Sequence, residues 1–203
     1  MTGTPLQIIV GLGNPGPEHQ FTRHNAGFWF VDALAQKYGE RFRHHAKYHG
    51  EVCRIRIGSS DLTLLKPDTY MNRSGLALRA LSDYQKVPSQ QVLVAHDELD
   101  LPCGTVRLKF GGGHGGHNGL RDVVTHVGAE FWRLRLGIGH PGDKSQVLDY
   151  VLRRAPAEEE QAILAAVGAA IDVLPTFMEQ GAEKAMHALH TRADPAISSS
   201  NRQ

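Results

Sequence analysis

The segment at residues 11–25, GLGNPGPEHQFTRHN, separates an apolar run from a helical pattern. The run is LQIIV at residues 6–10, and the pattern places Phe28, Val31, Leu34, Ala35 and Tyr38 on one face. The order is therefore strand, long loop, helix. In open α/β sheets ligands sit beyond the carboxyl ends of strands. That position holds two candidate catalytic side chains, Asn14 and His24.

Gly11, Gly13 and Gly16 also spell GxGxxG, the dinucleotide fingerprint when a helix opens at once behind a strand. Here the helix is delayed by about ten residues. Pro15 and Pro17 remove two backbone donors, and Asp32 lies within the helical pattern rather than at the end of a second strand. A dinucleotide oxidoreductase is the weaker reading, and added NADH tests it by a change in fluorescence.

Outward from this loop, 203 residues with 41% hydrophobic content suffice for one domain with a real core. Residues 1–190 are expected to form it, with a flexible polar tail at residues 191–203. No basic leader precedes the first apolar run, and no stretch is expected to reach the length of a membrane span. These features point to a soluble cytoplasmic protein. Cys53 and Cys103 read as free, buried thiols rather than a disulfide or zinc framework. A net charge of +1 neither requires nor excludes a nucleic-acid partner, so any phosphate grip must be local. The basic stretch RFRHHAKYH at residues 41–49 has no carboxylate or cysteine at ligand spacing, which makes it a solvated face rather than a metal site.

Further along, residues 51–57 and 62–65 form a hairpin around GSSD, and the second strand delivers KPDTYMNRSG. Asn72 stands at the mouth of the next helix, either as an N-cap or as a site residue. Residues 91–95 form a strand ending in HDELD, which puts Asp97 on the same sheet edge as Asn14 if both strands are parallel. Asp97 would then reach His24. Five glycines within residues 111–116 follow another strand, so the backbone there can approach a ligand closely, and Asn118 begins a helix. Arg133 and Arg135 share one strand face near Lys109 and Lys144, as a phosphate-binding strip or as solvated charge. Pro156 and three glutamates open the last long helix, which Pro175 is expected to kink.

Asn14, His24, Asn72, Asp97 and Asn118 make one base, one carboxylate and three amides, each at an element boundary. No GxSxG elbow is present, so a histidine that activates water fits better than covalent catalysis. Asp97 would fix the tautomer of His24, whose other nitrogen takes a proton from water attacking a carbonyl. The start of the helix disfavours imidazolium and Asp97 favours it. A largely neutral base near neutral pH is expected, with activity rising through one ionisation to a plateau.

The blocks GLGNPG, FTRHNAGF, KPDTYMNRSG, VAHDELDLP, KFGGGHGGHNGLRD and RLRLGIGHPGDK, in that order over most of the chain, resemble bacterial peptidyl-tRNA hydrolase. The resemblance implies a monomeric single-domain α/β enzyme, with a mixed, mostly parallel twisted sheet flanked by helices. It implies cleavage of the ester between a peptide and the 3′ ribose of tRNA, recycling tRNA dropped by ribosomes. Neither metal nor other cofactor is implied, nor a membrane or an obligate protein partner. By position, His24 corresponds to the general base, Asp97 to its orienting carboxylate and Asn14 to the amide that separates peptidyl from unblocked aminoacyl substrates. Asn72 and Asn118 correspond to substrate amides, Tyr70 to the aromatic beside them, and Lys109 and Arg135 to phosphate contacts. His19 stands where the family often has tyrosine, so stacking on the tRNA terminus is expected to be weaker or pH-dependent. A non-enzymatic RNA-binding protein on the same fold would be expected to have lost part of this set, and all five catalytic and amide positions are intact.

Overall fold

The computed structural model describes residues 5–192. One sheet contains β1 (Ile8–Gly11), β2 (Arg43–His45), β3 (Gly50–Ile57), β4 (Ser60–Pro67), β5 (Val92–Glu98), β6 (Val106–Phe110) and β7 (Trp132–Gly137). Their spatial order is β2-β3-β4-β1-β5-β7-β6. The pairs β4–β1, β1–β5 and β5–β7 are parallel, whereas β2–β3, β3–β4 and β6–β7 are antiparallel. Strand direction follows the expected bias, since only β3 and β6 oppose the rest. Antiparallel edges flank a parallel centre, and the pairings divide evenly.

The helices are α1 (Ala26–Lys37), α2 (Ser74–Gln85), α3 (Asn118–Val127), α4 (Val147–Val151), α5 (Ala157–Gln180) and α6 (Ala182–Arg192). Strands β1 and β5 are covered on both faces, which is why they read as unbroken apolar runs. Alternation along each strand divides their side chains between two cores. Ile9, Leu93 and Leu134 pack with Phe30, Leu34, Ile163 and Leu174 of α1 and α5. Ile8, Val10 and Val94 pack with Leu78, Leu81 and Leu120 of α2 and α3.

Helix α5 corrects one expectation, because it is long and apolar enough to cross a membrane. Ile163, Val167, Ile171 and Leu174 are instead buried against the sheet, as in a core helix. Pro175 lies inside α5, and the helix continues past it to Gln180. Helix α6 was not anticipated. Gly181, at φ +93, separates it from α5, and Ala185 and Leu189 bury its inner face. Of the anticipated tail, Thr191 and Arg192 end α6, and residues 193–203 lie outside the described residues.

Gly11 in the opening segment and Gly27 just after it serve packing. A Cβ at Gly27 would stand 2.4 Å from the Ala95 carbonyl oxygen and 2.6 Å from the Leu12 nitrogen, while one at Gly11 would stand 2.3 Å from the Gly27 oxygen. The first turn of α1 thus rests main chain on main chain against the ends of β1 and β5. Gly27→Ala is expected to lower unfolding free energy by about 1–3 kcal/mol in urea titrations. An unchanged midpoint would mean that the contact is not needed.

Candidate active site

His24 lies in a 3-10 turn, Arg23–Asn25, just before α1, and Asp97 lies at the carboxyl end of β5. Gly27 lets α1 sit on the end of β5, and this brings His24 to Asp97. His24 Nδ1 lies 3.0 Å and 2.9 Å from the two carboxylate oxygens. Nδ1–H donates to the carboxylate, so the lone pair of Nε2 is available to accept a proton.

A third residue, His117, completes the arrangement and was missed in the sequence. Its Nδ1 accepts from the backbone N–H groups of Gly119 and Leu120 at 3.1 and 3.2 Å, capping α3. That requirement places the proton on Nε2, which donates to Asp97 Oδ1 at 2.7 Å. Asp97 therefore accepts from two imidazoles. His96, fully enclosed beneath them, donates from Nδ1 to the Asp97 carbonyl oxygen at 2.7 Å. A histidine just before an apolar helical pattern was the available signal, but Ser, Thr, Asp and Asn are the usual caps.

The electrostatics follow from burial and these contacts. Burial opposes charge on Asp97, yet the imidazoles of His24 and His117 hold its carboxyl far below the usual carboxylate range. Burial also opposes charge on His24, but Asp97 outweighs it and raises the imidazole above its ordinary value of 6.5. The carboxylate at hydrogen-bond distance thus works in the direction anticipated for it. Burial, and next the neighbouring His117, push His96 down to about 3, so it is neutral. Burial raises both thiols, Cys53 to about 12, which excludes them as thiolates at neutral pH.

Asn14 is positioned on both sides. Its Oδ1 accepts from the Met71 N–H at 2.7 Å, while its backbone N–H donates to Asn25 Oδ1 at 2.8 Å. Asn25 Nδ2 returns a bond to the Asn14 carbonyl at 2.9 Å. The Met71 donor fixes which end of the Asn14 amide is oxygen and leaves Nδ2 as a donor for a ligand. Asn25, buried and unassigned in the sequence, latches the two ends of the loop.

The remaining candidates surround this centre to different degrees. Asn72 is exposed in the turn before α2, and the free N–H of Gly75 in the first turn of that helix donates instead to Asp122 Oδ2 at 2.8 Å, so the N-cap alternative fails. Asn118 is the exposed first residue of α3, beside His117, and its Oδ1 accepts from Arg121 at 3.2 Å. Tyr70 is 63% exposed, and its ring meets that of His19 edge-on at 6.5 Å. Arg133 is buried, with its guanidinium bound to the carbonyls of Gly112 and Gly113. It therefore ties down the glycine loop and drops out of the anticipated cationic strip. Arg135 pairs with Glu98 at 3.0 Å, and Lys109 is exposed at the outer strand. No contact joins either cation to the His24 centre.

His24, Asp97 and His117 also have the composition of a cation-binding triad. Two of the nitrogens already serve as donors to Asp97, and His117 cannot release its Nε2 proton without taking one onto the nitrogen that caps α3. The hydrogen bonds account for the cluster. Chemically, the site offers a buried anion, one imidazole nitrogen free to take a proton, and an oriented amide donor beside it. This set suits attack of water on a carbonyl.

The sequence profile of a family described as "Peptidyl-tRNA hydrolase" matches residues 8–196. A peptidyl-tRNA hydrolase of Azotobacter vinelandii is 52% identical over 191 residues, covering 93% of this chain and 98% of that protein. One from Xanthomonas axonopodis pv. citri is 54% identical over 189 residues, with the same coverage of 93% and 98%. The crystal structure of the Acinetobacter baumannii peptidyl-tRNA hydrolase superposes with a TM-score of 0.89 at 48% identity, covering 91% of this chain and 94% of that one.

Proposed function

The chain belongs to the peptidyl-tRNA hydrolase family, and on that premise we propose that His24 activates the water that cleaves peptidyl-tRNA. The enzyme is a carboxylic-ester hydrolase acting in translation. The observation that carries the mechanism is the pair of short contacts from His24 Nδ1 to Asp97. Water oxygen attacks the ester carbonyl between the peptide and the 3′ ribose while Nε2 takes its proton. The imidazolium, stabilised by Asp97, returns that proton to the departing ribose oxygen. The products are a free 3′-hydroxyl and a peptide carboxylic acid, which loses the second water proton to solvent, so the tRNA returns to use.

In this reading Asn14 Nδ2 donates to the amide carbonyl that every peptidyl group carries next to its last residue. An unblocked aminoacyl group presents an ammonium there, and two donors face each other. Asn72 and Asn118 orient the acyl group and the terminal ribose. Tyr70 and His19 form an aromatic wall for the terminal base. Lys109 and Arg135 meet acceptor phosphates, Arg135 by exchanging Glu98 for the ligand. The enzyme works as a monomer in the cytoplasm, without a cofactor, membrane or obligate protein partner.

The test compares release of the acyl group from N-acetylated and unblocked aminoacyl-tRNA. Asn14→Asp keeps the acceptor for Met71 and replaces the donor by an anion, so preference for the blocked substrate is expected to narrow by about tenfold or more. No release by the wild type would end the enzyme reading. Unchanged preference in the variant would end only the role of Asn14.

A further inference from the structure

Away from this site, a cleft of about 650 Å³ opens at the β2 edge of the sheet, between β3 and the carboxyl end of α2. Arg41, Arg43, Lys47 and Arg54 line it, against the single carboxylate of Glu40. Among the described residues none of the four cations meets a carboxylate within 4.0 Å. Several exposed arginines elsewhere do, Arg56 with Asp61, Arg79 with Asp83 and Arg154 with Glu160, although Arg73 and Arg121 stand singly and, among the described residues, without a carboxylate. On a chain of net charge +1 this is a concentrated positive region, with four cations against one lining carboxylate.

The cleft is also aromatic. Tyr84, 64% exposed, stands edge-on to the buried Tyr48 at 5.5 Å, and Lys47 Nζ sits 4.1 Å from the Tyr84 ring centre. His45 lies 5.7 Å from Tyr48. No exposed aliphatic side chain accompanies them, as insertion into a lipid surface would require. Guanidiniums on two strands beside an exposed tyrosine are the elements of a single-stranded nucleic-acid groove, in which phosphates follow the cations and a base stacks on the ring.

We propose that this cleft binds single-stranded RNA at a second site, separate from the one that holds the ester. It shares no lining residue with the His24 site. Strand β2 stands four strand positions from β5, or about 19 Å at ordinary strand spacing. The anticipated phosphate contact Lys109 lies on β6, at the opposite edge of the sheet.

Fluorescence anisotropy of a 5′-labelled single-stranded RNA of about eight nucleotides, within the range that such sites span, tests the proposal on the full chain. The triple variant R41Q/R43Q/R54Q is expected to weaken binding more than tenfold. Its plot of log affinity against log salt should be shallower by about 2, at about 0.7 for each phosphate that a guanidinium no longer neutralises. Tyr84→Ala should cost about tenfold and Tyr84→Phe little. All of these positions are exposed, and hydrolysis of N-acetylaminoacyl-tRNA should be unchanged in every variant. Four results would overturn the second site: no binding by the wild type at low salt, wild-type affinity in the triple variant, a parallel rise in KM for the tRNA, or equally effective displacement by a polyglutamate peptide. The last would indicate an acidic protein partner.

Discussion

Alanine at position 24 is expected to lower kcat for release of an N-acetylaminoacyl group by about a hundred- to ten-thousand-fold, the usual contribution of a positioned general base. KM should change little, because the proposed substrate amides Asn14, Asn72 and Asn118 remain in place. Single-turnover hydrolysis is the measurement, since it separates the chemical step from product release. In the wild type the same step should increase with pH. His24 must be neutral to accept a proton, and Asp97 raises its ionisation above 6.5, so the increase extends above that value before the plateau. A variant as fast as the wild type would remove His24 from the mechanism, and a wild-type rate that fell over the same range would do so as well.

Asparagine at position 97 should be as damaging, for a different reason. The carboxylate accepts from both His24 and His117, whereas an amide offers one oxygen and places an N–H₂ group against the other imidazole. His117 is fixed by α3, so His24 is the ring that turns to the other tautomer, and its Nε2 then carries a hydrogen and cannot act as base. A loss of about a thousand- to ten-thousand-fold in kcat is expected, the scale seen when a catalytic histidine is held in the wrong tautomer. The residual activity provides a sharper test. Without the anion, burial alone acts on His24 and lowers its ionisation, so the acid limb should move to lower pH. An acid limb that stayed in place would show that His24 is not the titrating group.

Much of the fold was legible in the sequence, where local chemistry and tertiary packing agree. Glycine and proline break the pattern after Val10, helical spacing resumes at Phe28, and unbroken apolar runs mark the strands that helices cover on both faces. Asp97 was legible for the same reason, as a carboxylate ending such a run. His117 was not, because histidine is not a usual cap for the two local N–H groups it meets in α3, and its bond to Asp97 exists only after β5 and the start of α3 meet. Arg133 misled because a charged residue alternating with leucines reads as solvent-facing, while the carbonyls that satisfy it lie some twenty residues earlier. The start of α6 was hidden in a polar stretch, where Ala185 and Leu189 are the fully buried residues of the inner face and Ala182, Met186 and Ala188 are only partly covered.

The main-chain contact between Gly27 and the ends of β1 and β5 has an evolutionary consequence. The separation of His24 from Asp97 is set by two backbones in contact, so it does not depend on how large the surrounding side chains are. Core residues can drift in sequence while the proton-transfer geometry stays constant. About half of the aligned positions differ between this chain and its Azotobacter relative. A scaffold insulated in this way tolerates such divergence without retuning its chemistry.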